Sequence, residues 1–417
     1  MTFTLRPHQQ RALDALTENN KGCVYIPTGG GKTLIMIEDV KRRLIDADSP
    51  KTVVVVAPRI LLAVQLFEEF FAELNGKVDV SVLHVHSGEV ECNRTTKVQE
   101  IECHHAVCKT AGVHELIFTT YHSLGRIVDS GIDVDFAYFD EAHNATNRGH
   151  FVGVAATSIS ANNAYFFTAT PKFSRNPYDR GMNNPEVFGN TILSVPAPEL
   201  INNGSIVAPK IVPHVTSEVR TKHNASEIDC ETVCSVLDGM DATGASKVLV
   251  AAPSTRVLWR MLTTTDVIQQ MRDRGYDILH ITSKHGAYVN QTKVSRDKFF
   301  DTLQQWGKDK NRKFVLFHYS ILSEGINVPG LTHTILLRQL PVIEMAQTIG
   351  RVIRMDSDDV NDIASGRMTA GVVSLYRKQA GYVTVPVHGK TGIHTAKRLQ
   401  NVVDTIFVKG LPAHSTF

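Results

Sequence analysis

The chain has 417 residues, 42% hydrophobic and 21% charged, with 44 basic against 42 acidic side chains and a formal net charge of +2. That length accommodates two or three domains of roughly 100–200 residues, and so even a balance excludes a uniformly basic coat for nucleic acid, leaving any basic track local. No run is long and apolar enough to span a bilayer, MTFTLRPHQQ lacks the apolar centre of a secretion signal, and six cysteines do not make a disulfide scaffold, so reduced thiols in a cytoplasmic setting without a membrane partner are expected.

In chain order, short β-branched runs alternate with longer amphipathic ones. Residues 24–27, 52–57, 116–119, 136–139 and 165–168 predict buried strands, and 32–44 and 60–74 predict helices among them. Residues 171–213 hold seven prolines with Asn/Gly clusters and predict the passage between two lobes, with ELINNGSIVAP as a short ordered piece inside it. The alternation resumes with strands at 247–252, 278–282, 313–317 and 334–337 and helices at 255–270 and 343–353. The acidic stretch 356–366 predicts a surface loop, 371–376 a strand, and 395–407 a final helix. Strand–helix alternation of this kind gives an α/β fold with mostly parallel sheets flanked by helices.

Pro27-Thr28-Gly29-Gly30-Gly31-Lys32-Thr33 follows a predicted strand and opens a predicted helix. Three glycines let the backbone curl around phosphate and aim its N–H groups inward, and the helix start adds positive potential. Lys32 suits the β- and γ-phosphate oxygens, and the Thr33 hydroxyl suits Mg²⁺. Ile26 stands where the general GxxxxGK[ST] template has its first glycine. Downstream, the apolar run Phe136-Ala137-Tyr138-Phe139 leads directly into Asp140-Glu141-Ala142-His143. Carboxylates at a strand's C-terminal end sit where open α/β sheets hold ligands. Asp140 suits a Mg²⁺ contact, and Glu141 suits the base that polarises an attacking water.

In family order, these blocks resemble a superfamily 2 helicase of the DEAH type. Leu5-Arg6-Pro7-His8-Gln9 resembles the adenine-reading motif, with Arg6 and Gln9 at its polar positions, and PTGGGKT resembles motif I. Ala57-Pro58-Arg59 with Gln65 resembles motif Ia, Thr119-Thr120-Tyr121 motif Ib, DEAH motif II, and Thr168-Ala169-Thr170 motif III. Ala252-Pro253-Ser254-Thr255-Arg256 resembles motif IV, Ser323-Glu324-Gly325-Ile326-Asn327-Val328-Pro329 motif V, and Gln347 to Arg354 fits the QxxGRxxR of motif VI. The nearest flavour is that of the compact UvsW-like and XPB-like helicases, which phages also encode; restriction-enzyme motor subunits carry similar motifs.

The resemblance implies two tandem RecA-like domains, with 1–195 as the first, 196–212 as a linker, 213–380 as the second and 381–417 as a C-terminal extension. It implies an ATP hydrolase that moves on, unwinds or remodels nucleic acid, DNA more than RNA, without sequence preference. Thr28, Gly29, Gly30, Gly31, Lys32 and Thr33 would cradle the nucleotide beside Arg6 and Gln9. Arg351 and Arg354 would serve as arginine fingers when the lobes close, with Gln347 near them. Pro58, Arg59, Thr119, Thr120, Ser254, Thr255 and Gly325 would touch the nucleic-acid backbone, and His143, Thr168 and Thr170 would couple the two sites. Tyr319 falls where motif V usually has threonine, so a backbone contact would be lost or replaced by ring stacking; Asn327 falls where many relatives have aspartate. One chain carries both halves of such a site, so a monomer would suffice. The alternatives are an ATP-gated clamp without unwinding and a motor subunit of a restriction or defence complex.

Cys92, Cys103, His104, His105 and Cys108 lie close together in sequence and could hold Zn²⁺. No close CxxC pair is present, and a surface insertion with reduced thiols is the favoured reading.

Overall fold

The computed structural model describes residues 5–90, 93–216, 218–240, 246–319 and 328–417, the last without the side chains of 389–392. The chain divides into two compact units, Met1–Pro196 with Pro412–Phe417, and Ala197–Leu411. Among the described residues no helix is long and apolar enough to cross a membrane.

In the first unit the strands are β1 (Lys21–Tyr25), β2 (Thr52–Ala57), β3 (Val80–Val85), β4 (His114–Thr120), β5 (Phe136–Phe139), β6 (Asn163–Thr168), β7 (Lys172–Phe173) and β8 (Asn190–Ser194). Its helices are α1 (Pro7–Glu18), α2 (Lys32–Ile45), α3 (Ile60–Leu74), α4 (Val98–Ala111), α5 (Leu124–Ser130), α6 (Arg148–Ser160) and α7 (Pro185–Phe188). Seven strands form one parallel sheet in the order β3-β4-β2-β5-β6-β1-β8. Every residue of β2, TVVVVA, is buried, as expected of a central parallel strand covered on both faces by helices. The expected strands and helices of this half are all present. β3 and β8 are additional; both lie at sheet edges, β3 with half its residues buried and β8 with none, so neither reads as a continuous apolar run. The last residues of the chain add β17 (Ser415–Thr416), which pairs with β7.

The second unit contains β9 (Ala208–Val215), β10 (Lys247–Ala251), β11 (Asp277–Thr282), β12 (Gly286–Val289), β13 (Thr292–Val294), β14 (Phe314–His318), β15 (His333–Leu336) and β16 (Ala380–Val387). They form a sheet in the order β13-β12-β11-β14-β10-β15-β16-β9, parallel except for the β11–β12–β13 meander. Its helices are α8 (Ala197–Asn202), α9 (Ala225–Asp238), α10 (Thr255–Thr264), α11 (Val267–Asp273), α12 (Arg296–Lys308), α13 (Val342–Val352), α14 (Ser357–Ala364) and α15 (Gly389–Val403). Both units thus have the RecA-like α/β architecture.

Several stretches of this unit differ from expectation. Residues 196–212, expected as a linker, carry α8 and most of β9. β9 pairs along its whole length with β16, whose residues fall almost entirely in the expected C-terminal extension. Pro209 and Pro213 suggested a break, but among the described residues β9 has β16 as its only strand neighbour, and an edge strand tolerates residues that cannot donate. The expected loop 356–366 is largely α14. Asp356 caps it by accepting from the Asp358 N–H, and Asp358 and Asp359 lie in its first turn, where acidic residues favour helix. The expected strand 371–376 is instead a short 3-10 turn at Val373–Leu375. The single helix expected over 255–270 is two, because the hydroxyls of Thr263, Thr264 and Thr265 bond back to the carbonyls four residues earlier as α10 ends.

A buried polar clamp fixes α2 to the first sheet. Asp39 Oδ2 accepts from the Tyr138 hydroxyl at 2.6 Å and from Arg43 Nε at 3.0 Å. Arg43 continues to the Leu16 carbonyl and the Tyr165 hydroxyl, each at 2.8 Å, and lies 4.7 Å above the Phe136 ring. Removing the carboxylate strands buried donors, whereas removing the phenol leaves the Arg43 pair intact. Asp39→Ala should therefore destabilise the full chain by about 2–4 kcal/mol in urea unfolding, and Tyr138→Phe by about 1 kcal/mol. Equal losses would show that the carboxylate is not the hub.

Candidate functional site

The strand order brings the expected residues of the first unit to one edge. β1, β2, β4, β5 and β6 run parallel. Their C-terminal ends therefore carry the glycine loop, Pro58-Arg59, Thr120, Asp140-Glu141 and Thr168-Ala169-Thr170 side by side, the edge at which open α/β sheets bind ligands.

The glycine loop leaves β1 through Ile26, whose N–H donates to the Thr168 carbonyl at 3.1 Å, and turns back as Gly30 N–H donates to the Pro27 carbonyl at 3.0 Å. Gly29 and Gly31 have φ of 89° and 85°, which a side chain would oppose. Gly31 precedes α2 without a side-chain cap, so the first N–H groups of the helix remain available to an anion. Thr28 lies within the loop, and Lys32 and Thr33 open the helix.

α1 holds the loop from the other side. The Arg6 N–H donates to Gln9 Oε1 at 2.9 Å, which fixes the Gln9 amide with its nitrogen toward the loop. A Cβ on Gly31 would lie 2.5 Å from Gln9 Nε2. The buried His8 ring contacts the Gly30 carbonyl at 2.8 Å, a role not read from the sequence because a lone histidine beside a proline carries no signal.

The acidic side is under backbone strain. Glu141 adopts φ 46° and ψ 52°, a left-handed conformation that costs a non-glycine residue about 1–3 kcal/mol. It is held there because its carbonyl accepts from the Asn144 N–H at 2.9 Å and from Asn144 Nδ2 at 3.1 Å. Glu141 Oε1 lies 3.9 Å from Lys32 Nζ, while Oε2 is buried without a hydrogen-bond partner. Burial first, then the neighbouring Glu141 charge, pushes the Asp140 carboxyl up to about 7, against the pull of Lys32. Two buried carboxylates facing one ammonium form a donor set that fits a divalent cation: hard oxygens with surplus negative charge.

A polar relay extends from this point. His143 Nδ1 lies 3.0 Å from Thr168 Oγ1 and 3.5 Å from Glu141 Oε2, and Asn144 Nδ2 lies 3.2 Å from His143 Nε2. An amide donor on Nε2 assigns the proton to Nδ1, so the ring donates to the Thr168 hydroxyl oxygen. Thr168 Oγ1 also accepts from the Thr170 N–H at 3.1 Å.

Of the other expected residues, Pro58 and Arg59 are half-buried where β2 passes into α3. Thr119 and Thr120 are buried; the first donates to the Val85 carbonyl at 2.8 Å and the second contacts Ser123 Oγ at 3.3 Å. In the second unit, Ser254 caps α10 by accepting from the Val257 N–H, and Thr255 opens that helix. Gly325, with the rest of 323–327, lies outside the described residues. Gln347 and Arg351 are buried on α13, and the Arg354 carbonyl accepts from Lys378 Nζ at 2.7 Å. The buried His318, at the end of β14, is driven down to about 3 by burial and then by the Arg351 and Arg338 charges. The Tyr319 ring lies 4.8 Å beneath the Arg338 guanidinium. In the cysteine–histidine stretch, Cys92 lies outside the described residues and Cys103 is exposed, whereas His104 and Cys108 face Glu115.

Residues 2–173 match the family model described as Type III restriction enzyme, res subunit, and residues 230–356 match that of the Helicase conserved C-terminal domain. The two matches lie in tandem, the first in the Met1–Pro196 unit and the second in the Ala197–Leu411 unit. It is 23% identical over 218 residues to the Type I restriction enzyme SsaAORF53P endonuclease subunit of Staphylococcus saprophyticus, covering 49% of this chain and 21% of that protein. The solved structure of the ATP-dependent Type ISP restriction-modification enzyme LlaBIII bound to DNA superposes with a TM-score of 0.70 at 14% identity, over 100% of this chain and 31% of that one. S. cerevisiae Dbp5 bound to RNA and ADP BeF3 superposes with a TM-score of 0.56 at 15% identity, over 99% and 89%. The chain thus spans about a fifth of the restriction subunit and under a third of the Type ISP enzyme.

The glycine loop admits a sharp test. Gly31→Ala strains the backbone and drives a methyl group into Gln9, whereas Gly76→Ala, at φ 74° with open space around it, imposes strain alone. Gly31→Ala should weaken binding of a fluorescent ATP analogue by roughly tenfold or more, and Gly76→Ala should leave it unchanged.

Proposed function

We propose that this chain hydrolyses ATP to move along nucleic acid, DNA in preference to RNA, as a translocase or helicase of the DEAH type. The observation that carries this reading is the convergence of Lys32, Asp140 and Glu141 on the uncapped start of α2. Lys32 binds the β- and γ-phosphates in place of its present contact with Glu141. That exchange frees the Glu141 carboxylate to accept a proton from a water aimed at the γ-phosphorus. Its buried Oε2, with no hydrogen-bond partner among the described residues and His143 Nδ1 3.5 Å away, suits that task. Asp140 and the Thr33 hydroxyl would hold Mg²⁺, which when bound supplies charge neutralisation at the phosphate oxygens. Gln9 and Arg6 read the base. Arg351 and Arg354 stabilise charge on the transferred phosphoryl group, an assignment that rests on the spacing from Gln347 to Arg354.

Pro58, Arg59, Thr119, Thr120, Ser254, Thr255 and Gly325 are assigned to the nucleic-acid backbone, and Thr168 and Thr170 to coupling. The hydroxyl of Thr119 already donates within the sheet, so its part in this reading is to shape the strand end. DNA is favoured because the solved Type ISP restriction-modification enzymes that the chain resembles are bound to DNA or to a DNA substrate mimic. A second reading, a motor segment of a larger restriction-type assembly, is supported by the small share of those proteins that the chain spans.

Glu141→Gln should bind ATP normally and lose at least about 100-fold in turnover. Arg351→Ala or Arg354→Ala should likewise retain binding, with turnover reduced by roughly 10³. Steady-state ATPase on single-stranded, duplex and forked DNA and RNA should rise most with DNA and fall with added salt. Turnover that is identical with and without any nucleic acid would overturn the motor reading.

A further inference from the structure

Away from the nucleotide edge, α4 turns three side chains toward the N-terminal end of β4. His104 Nδ1 lies 2.7 Å from Glu115 Oε1, and His105 Nδ1 lies 2.7 Å from Glu115 Oε2. Cys108, one turn further along α4, has its Sγ 3.7 Å from His104 Nδ1. Glu115 is 1% exposed, and among the described residues its ion partners are the two imidazoles alone. A carboxylate so deeply buried needs a compensating positive charge.

We propose that His104 Nδ1, Cys108 Sγ and Glu115 Oε1 form a zinc site that ties α4 to β4. Ligand atoms of these three residues all lie within 4.8 Å of one another. Tetrahedral zinc, with bonds of about 2.0–2.3 Å, sets ligand–ligand separations of roughly 3.3–3.6 Å. The nitrogen–sulfur separation of 3.7 Å already meets this, and the 2.7 Å nitrogen–oxygen contact opens by about half an ångström when the ion replaces a hydrogen-bonding proton. Binding releases the thiol proton to solvent, since the thiolate is the ligand, and the imidazole proton shifts from Nδ1 to Nε2, where it donates to the Ser81 hydroxyl oxygen. The surrounding groups supply the orienting contacts that a metal site requires. The Ser81 hydroxyl lies 3.0 Å from His104 Nε2, which leaves Nδ1 for the ion. His105 and the Thr52 hydroxyl, at 3.3 Å, hold Glu115 Oε2. A water completes four-coordination. The sequence favoured a surface insertion with reduced thiols over a zinc site, and this ligand set differs from the disfavoured one considered there: exposed Cys103 is not part of it, and Glu115, from the following strand, is. The site lies at the opposite strand end from Lys32 and Glu141, so its role is to stabilise the first unit.

The test uses the full chain purified in reducing buffer without chelator. About one zinc per chain is expected by elemental analysis, with the thermal midpoint raised by added Zn²⁺ and lowered by chelator. Cys108→Ser and His104→Ala should lose the zinc, and Cys103→Ser should keep it. Co²⁺ taken up by the unmutated chain should show a thiolate-to-cobalt charge-transfer band that Cys108→Ser lacks. ATP-analogue binding by Cys108→Ser should match that of the unmutated chain. Protein that is purified without zinc and takes up neither Zn²⁺ nor Co²⁺ at micromolar concentration would overturn the proposal in favour of a purely hydrogen-bonded cluster. Zinc retained by both Cys108→Ser and His104→Ala would also overturn it. Neither result bears on ATP hydrolysis, so the two proposals fail separately.

Discussion

Asp140 and Glu141 are adjacent, buried and acidic, and the ammonium group facing them is that of Lys32, 3.9 Å from Glu141. Burial penalises charge, and each carboxylate penalises the other, which is why Asp140 is pushed up to about 7. A fold that only needed stability would not keep this arrangement, because apolar residues at the end of β5 would pack more favourably. The left-handed backbone at Glu141 adds further cost. Both are sustained by what lies behind them: a fully buried β2 on one side, and Phe139 stacked on Phe166 at 4.5 Å on the other. The surplus negative charge and the uncapped helix start opposite it are complementary to a cation and a polyphosphate together.

The same sheet explains why the local motifs were legible. The glycine loop and the acidic pair each follow a strand whose residues are wholly or almost wholly buried, so the apolar run and the polar residues that end it mark the position of the site directly. Where burial was partial, the signal faded. β3 and β9 each have half or more of their residues only partly buried, and β9 carries two prolines; both look like irregular chain until a neighbouring strand is supplied. α14 was hidden by its own cap: a run of aspartates reads as solvated loop, yet Asp359 is fully buried and accepts from Arg377 at 2.7 Å. That partner lies 18 residues away, beyond the reach of any local pattern.

Glu115 is missing from the sequence reading for a related reason. The cysteines and histidines of α4 stood out by type and proximity, whereas a single glutamate at the start of an apolar strand looks like a solvated end. Only the parallel pairing of β4 with β2 and β3 carries it under the helix and beside Thr52 and Ser81. Sequence proximity thus selected Cys103, which the helical turn directs to solvent, and passed over the residue that tertiary structure supplies.

The relay through His143 gives the nucleotide edge its internal logic. Thr168 uses its carbonyl to receive the Ile26 N–H at the entrance to the glycine loop and its hydroxyl to meet His143. One residue at the end of β6 therefore touches both the glycine loop and the ring that flanks Glu141. A shift of the loop by a few tenths of an ångström must alter either the Thr168 carbonyl contact or the strand register, and β6 is pinned along its length between β1 and β5. The softer element is the His143 side chain, which has two acceptors within 3.5 Å, Thr168 Oγ1 and Glu141 Oε2, for one proton. The glycine loop and the Glu141 carboxylate are thereby connected through Thr168 and the His143 ring.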